Sequence, residues 1–170
     1  VAAAIWFAMA YNNLVAAAHR ANQAWGKIDA LLRQRHDELP RLIELCQPYL
    51  KYEQAKFDRV LEARSEIFAA RQTQDAAALG RAETLLRGAL REVFALTAAQ
   101  TELQSDQTVA ALQQRLAKLE TGLEERAALY DDAVQQNNRA IGQFPGVVVA
   151  ILGGFRRLQP FAFDAAERGS

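Results

Sequence analysis

The chain has 170 residues, and its 20 Lys+Arg balance 20 Asp+Glu to a formal net charge of zero. That balance, with no basic stripe, argues against a nucleic-acid partner, whose affinity would come from neutralised phosphates. A single cysteine rules out an internal disulfide framework and leaves the redox compartment open, while 170 residues suffice for one domain with a sizeable core.

The amino end is an apolar run, Val1-Ala2-Ala3-Ala4-Ile5-Trp6-Phe7-Ala8-Met9-Ala10, passing without a turn residue into Tyr11-Asn12-Asn13-Leu14-Val15. Ten residues are about half of the ~20 a helix needs to cross a bilayer. Trp6 and Tyr11 fall where interfacial aromatics fall, and a polar Asn pair follows at once. The expectation is therefore the second half of a transmembrane anchor continuing into a helical bundle. A signal-peptide remnant and a buried helix of a soluble protein are the competing readings. Arg20, Lys27, Arg33 and Arg35 face only Asp29 over residues 11–36. With the other flank of the anchor missing, the side of the membrane on which the domain lies stays open.

The first helix is expected over residues 5–36, with Leu14, Ala18, Ala21, Trp25, Ile28 and Leu32 on one stripe. Asp37-Glu38-Leu39-Pro40 reads as a break with proline in the next first turn, or as a kink in one longer helix. The second helix continues to about residue 71. Its apolar side carries Leu42, Ile43, Cys46, Leu50, Phe57, Val60, Leu61, Ile67 and Phe68, which makes Cys46 a small buried hydrophobe. Thr73-Gln74-Asp75 is a polar break with Asp75 as N-cap. A third helix with Leu79, Leu86, Leu90, Val93 and Phe94 fades near Leu103. Ser105-Asp106 opens the fourth, whose stripe is Val109, Leu112, Leu116, Leu119, Leu123, Tyr130, Val134, Asn137 and Ile141. Such a seam, roughly 50 Å long at ~1.5 Å per residue, suits a bundle or coiled coil. Gly142 and Pro145 end it.

The fold class that follows is all-α: an antiparallel four-helix bundle over residues 11–144, with residues 1–10 as anchor and 145–170 as an apolar and aromatic tail. Up-down topology would return that tail to the membrane-proximal end. It could be a lid on the bundle, a contact between subunits, or an interfacial segment. The residues for a membrane or subunit contact are Val147, Val148, Ile151, Leu152, Phe155, Arg156 and Arg157. Tyr11, Asn12, Tyr130 and Asn138 are expected to form a structural hydrogen-bond cluster where the first and fourth helices end.

No catalytic, cofactor or metal constellation emerges. His19 and His36 lie too far apart on one helix to share a metal, and no Glu-x-x-His repeat is present. Glu124-Glu125 and Asp131-Asp132 read as a charged helix face. There is no G-x-S-x-G or P-loop, and Gly153-Gly154 is a weak phosphate-loop candidate.

Tyr11-Asn12-Asn13-Leu14-Val15, Ala24-Trp25, Ile28-Asp29, Leu32 and Arg35-His36-Asp37-Glu38-Leu39-Pro40-Arg41-Leu42 stand in an order and spacing that resembles the LemA family. Glu53, Ala63-Arg64, Leu112-Gln113, Leu119-Glu120, Tyr130, Ala133-Val134, Asn138, Ile141, Phe144-Pro145, Gly154-Phe155 and Pro160-Phe161-Ala162-Phe163 extend the resemblance over nearly the whole chain. The family's I-P-N-L is Leu39-Pro40-Arg41-Leu42 here, and its E-N-R-I is Glu120-Thr121-Gly122-Leu123. Its two Y-N pairs have become Tyr130-Asp131 and Asn137-Asn138, which marks a divergent member. The resemblance implies a single-pass anchor in the bacterial inner membrane and a four-helix bundle, and supplies no reaction. Magnetosome proteins with this domain suggest membrane organisation by analogy. The expected function is a non-enzymatic, membrane-anchored scaffold that needs no cofactor. Its partners would be lipid and further copies of itself or other membrane proteins. An accessory role to a membrane protease or transporter is the alternative, and a bundle enzyme is third.

Overall fold

The computed structural model describes residues 1–161, so Ala162 and Phe163 of the expected aromatic close lie outside the described residues. Within them every regular element is helical: α1 (Ala2–Cys46), α2 (Gln54–Thr73), α3 (Ala76–Ala99), α4 (Thr101–Ser105), α5 (Gln107–Gly142) and α6 (Gly146–Gly153). The all-helical expectation holds. Among the described residues no helix is long and apolar enough to cross a membrane. Val1 to Ala10 gives α1 an apolar end, and the expectation of an anchor gains no support from a spanning helix.

The break expected at Asp37–Pro40 is absent. α1 runs through Pro40, which is exposed. Proline removes the N–H that would bond the His36 carbonyl, and an orphaned carbonyl ordinarily kinks or ends a helix. Here the Arg64 side chain supplies the missing donor, its Nε lying 3.0 Å from the His36 oxygen. The helix ends instead at Cys46, before Pro48, and residues 47–53 form a short turn. In that turn the Leu50 N–H donates to Cys46 O at 3.2 Å and Glu53 N–H to Leu50 O at 3.0 Å. The second helix therefore begins at Gln54, not at Pro40.

The caps read from sequence are in place. Asp75 accepts from the Ala78 N–H at 3.0 Å, and Asp106 from Thr108 N–H at 2.7 Å, satisfying donors that a helix start leaves open. Several stripe assignments shift, and Phe94 and Leu119 are only half-buried. Ala17 is buried and Ala18 only partly so, while Leu61 and Phe68 of α2 are exposed, at 40 % and 44 %.

By packing, the residues fall into two compact units: Val1–Ile28 with Glu125–Phe161, and Asp29–Glu124. In the second, α1 pairs with α2 through Asp29–Arg71 (2.6 Å) and His36–Phe68 (ring centroids 5.5 Å). The α2–α3 pair carries Arg59–Glu92 at 3.2 Å. The α3–α5 pair carries Arg87–Glu120 (2.6 Å) and Gln113 Nε2 to Thr97 Oγ1 (2.8 Å). Arg115–Glu38 (3.6 Å) joins α5 to α1. In each pair whose contacts recur, residue numbers rise along one helix as they fall along the other, so neighbours run antiparallel.

The core of this unit contains the buried ion pair Arg35–Glu83, with residue exposures of 4 % and 2 %. Arg35 stands between the buried Leu32 and Leu39, and one heptad before the buried Leu42. Glu83 stands among buried Leu79, Ala82 and Leu86. An ion pair in such a seam adds little net stability, because desolvation offsets attraction, but it penalises any register that separates the partners.

Replacing Arg64 by Leu is expected to destabilise the chain by about 1 kcal/mol or somewhat more, the cost of leaving a part-buried carbonyl unsatisfied. In a Pro40→Ala background the loss should shrink, because alanine brings back the backbone N–H that proline lacks. Urea unfolding of the four proteins in this cycle measures the coupling; equal losses in both backgrounds would contradict the account.

Candidate functional site

In the first unit, the chain turns sharply after α5. The Phe144–Pro145 peptide is cis, and Gly146 begins α6 so close to α5 that a Cβ there would lie 1.9 Å from Ala140 O. Only glycine fits. Val149 and Ala150 of α6 are buried with Leu14 and Ile141, flanked by Ala10, Ala140 and Phe155. The helix ends at Gly153, and Gly154 takes φ 69°, the left-handed conformation that terminates helices at low cost. The Phe155 N–H then donates to Ala150 O at 3.0 Å. A Cβ on Gly153 would lie 2.6 Å from the Phe155 ring, which Tyr11 meets edge-on at 5.7 Å. Gly153-Gly154 is thus a helix-ending turn rather than a phosphate loop.

Residues 156–161 carry no regular secondary structure and are held by side chains of α5. Asn138 donates from Nδ2 to Leu158 O and accepts at Oδ1 from Leu158 N–H, both at 2.9 Å. Asn137 donates to Arg156 O at 3.2 Å, and Tyr130 Oη to Gln159 O at 3.3 Å. Asp131 Oδ1 accepts from Phe161 N–H at 2.6 Å. The spacing is commensurate: seven helical residues from Asp131 to Asn138 span ~10.5 Å. Three residues of extended chain, Leu158 to Phe161, span ~10 Å. Trp25 packs edge-on against Tyr130 at 5.6 Å. Burial, and then the Asp131 carboxylate, raise the Tyr130 hydroxyl above its ordinary pKa, so it stays a neutral donor.

The expected cluster is therefore corrected. Tyr130 and Asn138 both hold the returning strap, and Tyr11 supports it indirectly through Phe155. Asn12 is exposed and takes no part in the described hydrogen bonds. An exposed position two residues before the buried Leu14 points off the packed face. Asp131, read as part of a charged surface, is half-buried at the strap. The signal for it was the repeat of two polar pairs, Tyr130-Asp131 and Asn137-Asn138, one heptad apart on a helix face.

With Val149 and Ala150 turned inward, α6 presents its other side outward. Ile151 and Leu152 are each 77 % exposed, and Val147 and Val148 39 % each. Phe144 (74 %) contacts Trp6 (44 %), ring centroids 5.2 Å apart, and Ile5 and Met9 are exposed on the same end of α1. Arg156 and Arg157 are exposed where the strap begins. Of the expected contact residues, Phe155 alone is largely withdrawn into packing.

The two histidines, Cys46 and Glu124 have the following surroundings. His19 is exposed. His36 is half-buried against Phe68; burial, and then Arg64, hold it below its ordinary 6.5. Cys46 is buried, and burial followed by Asp106 pushes its thiol up to about 11, the reverse of an activated nucleophile. Glu124 pairs with Arg87 at 2.9 Å. Among the described residues no group of His, Cys, Asp or Glu is arranged to hold a metal ion.

Asn138→Ala is expected to cost about 1–2 kcal/mol and to speed hydrogen exchange at the Leu158 and Phe161 amides, leaving α3 amides unchanged. Asn12→Ala should stay within about 0.5 kcal/mol of the parent. Unchanged exchange at Leu158 in the Asn138 variant would refute the clasp.

A search of curated proteins finds no match. A family model described as the LemA family matches residues 24–170. The matched span begins at Ala24, so the Tyr11–Val15 motif lies before it, whereas Pro40, the α5 clasp residues and the returning strap lie within it. The chain belongs to the LemA family.

Proposed function

We propose that this chain is a non-enzymatic, membrane-associated helical scaffold whose apolar end, built from Val1–Ala10 and α6, meets lipid. The observation that carries the reading is the exposure of Ile151 and Leu152 at 77 % each beside Phe144, Trp6, Ile5 and Met9. Large apolar side chains gathered on one end are costly in water and mark a membrane or partner surface. Trp6 and Tyr11 supply the amphipathic rings favoured at the headgroup level. Arg156 and Arg157 add positive charge beside them. In this reading Val1–Ala10 belongs to the anchoring segment, and the setting is the bacterial inner membrane that the family resemblance implies. The surface of the helical body then serves self-association or capture of other membrane proteins.

A vesicle flotation assay tests it. The chain should float with phospholipid vesicles, and an Ile151→Asp/Leu152→Asp variant should bind at least about tenfold more weakly, since burying each side chain is worth ~1.5–3 kcal/mol. Both positions are exposed, so the fold should survive, as circular dichroism would report. A parent that does not float, or a variant that floats equally well, would overturn the reading.

A further inference from the structure

The first unit also contains a groove of about 390 Å³ between α1 and the last turns of α5. Arg20 and Arg139 line it together with the amides Asn13, Gln136 and Gln143, and no acidic residue does. Its remaining lining is apolar and includes Phe144, the residue that contacts Trp6 at the apolar end. Neither arginine forms an ion pair among the described residues, whereas Arg33, Arg35, Arg71, Arg87 and Arg115 of the other unit each meet a carboxylate. Arg20 Nε donates to Ala16 O at 3.3 Å, which lays the side chain back along α1 towards Asn13. Arg139 stands in the last turn of α5, where a cation also complements the helix dipole. That explains one charge and not the pair.

From this geometry we propose that the Arg20–Arg139 groove binds the phosphate of an anionic phospholipid headgroup, while the acyl chains lie against the neighbouring apolar surface. Guanidinium groups donate several N–H bonds in a planar fork that matches phosphate oxygens. The side-chain amides of Asn13, Gln136 and Gln143 supply further donors, and their carbonyls can accept from a glycerol or similar headgroup hydroxyl. A groove with two cations, no anion and an apolar rim suits an amphiphile whose charge and hydrocarbon are joined. The inference rests on the membrane-facing reading above.

The test compares vesicles of phosphatidylcholine alone with mixed phosphatidylcholine–phosphatidylglycerol vesicles at physiological salt, and adds a calorimetric titration with inorganic phosphate. The parent should prefer the anionic vesicles by roughly tenfold or more, at about 1 kcal/mol per arginine near the surface. An Arg20→Gln/Arg139→Gln variant should lose that preference while binding neutral vesicles as before. An Arg156→Gln/Arg157→Gln variant should keep most of it. Equal binding of the parent to both vesicles overturns this inference alone, as does a preference carried by Arg156 and Arg157. Binding to neither vesicle removes the membrane reading and the inference with it. Saturable binding of inorganic phosphate that needs Arg20 and Arg139, without an anionic-vesicle preference, would make the occupant free phosphate and overturn the lipid assignment.

Discussion

The paired hydrogen bonds between the Asn138 amide and the backbone of Leu158 set the geometry on which the apolar end depends. A side-chain amide presents one donor and one acceptor in a plane, so it can pair with a peptide unit much as a neighbouring strand would. With Asp131 holding Phe161 one heptad earlier, the strap is tied to α5 at two points whose separations along helix and chain agree. The strap in turn fixes where α6 must lie. Val149 and Ala150 then reach Leu14 and Ile141, and Ile151 and Leu152 are left outward. Polar satisfaction at one place thus produces hydrophobic exposure at another.

In the second unit, an ion pair lies inside the seam. Arg35 and Glu83 occupy positions that an apolar pair could fill with equal or greater stability. A buried pair suits a bundle of alanine- and leucine-rich helices, because a slipped register would separate the two charges. Arg64 acts in the same spirit. By serving the His36 carbonyl it lets α1 pass Pro40 unbroken, so that Leu42 and Cys46 continue the buried face that Leu32 and Leu39 share.

Much of the fold was legible in the residues. The apolar stripes, the Asp75 and Asp106 caps and the end of α5 at Gly142 all follow from local rules that need no tertiary information. What escaped was non-local. Pro40 looked like a break because the donor that rescues its helix lies on the next helix, far along the chain. The Arg35–Glu83 pairing could not be read from sequence, because the two residues lie 48 positions apart on different helices. Asn12 resembled Asn138 in type and expected place, yet it lies off the packed face. Gly153-Gly154 could be read as a phosphate loop until the Phe155 ring and the positive φ of Gly154 showed a helix stop. The apolar amino end was visible at once, but its ten residues could not say whether it crosses, touches or avoids a bilayer.

The two tryptophans divide the first unit into an outward end and an inward one: Trp6 is 44 % exposed beside Phe144, and Trp25 is 9 % exposed against Tyr130. They offer the most direct measurement of whether the apolar end enters lipid. Fluorescence would be recorded on vesicles containing brominated phospholipids, using the parent and single-tryptophan variants Trp6→Phe and Trp25→Phe. The account predicts strong quenching of Trp6 and little of Trp25. Trp6 emission unaffected by brominated lipid, or equal quenching of both rings, would contradict it.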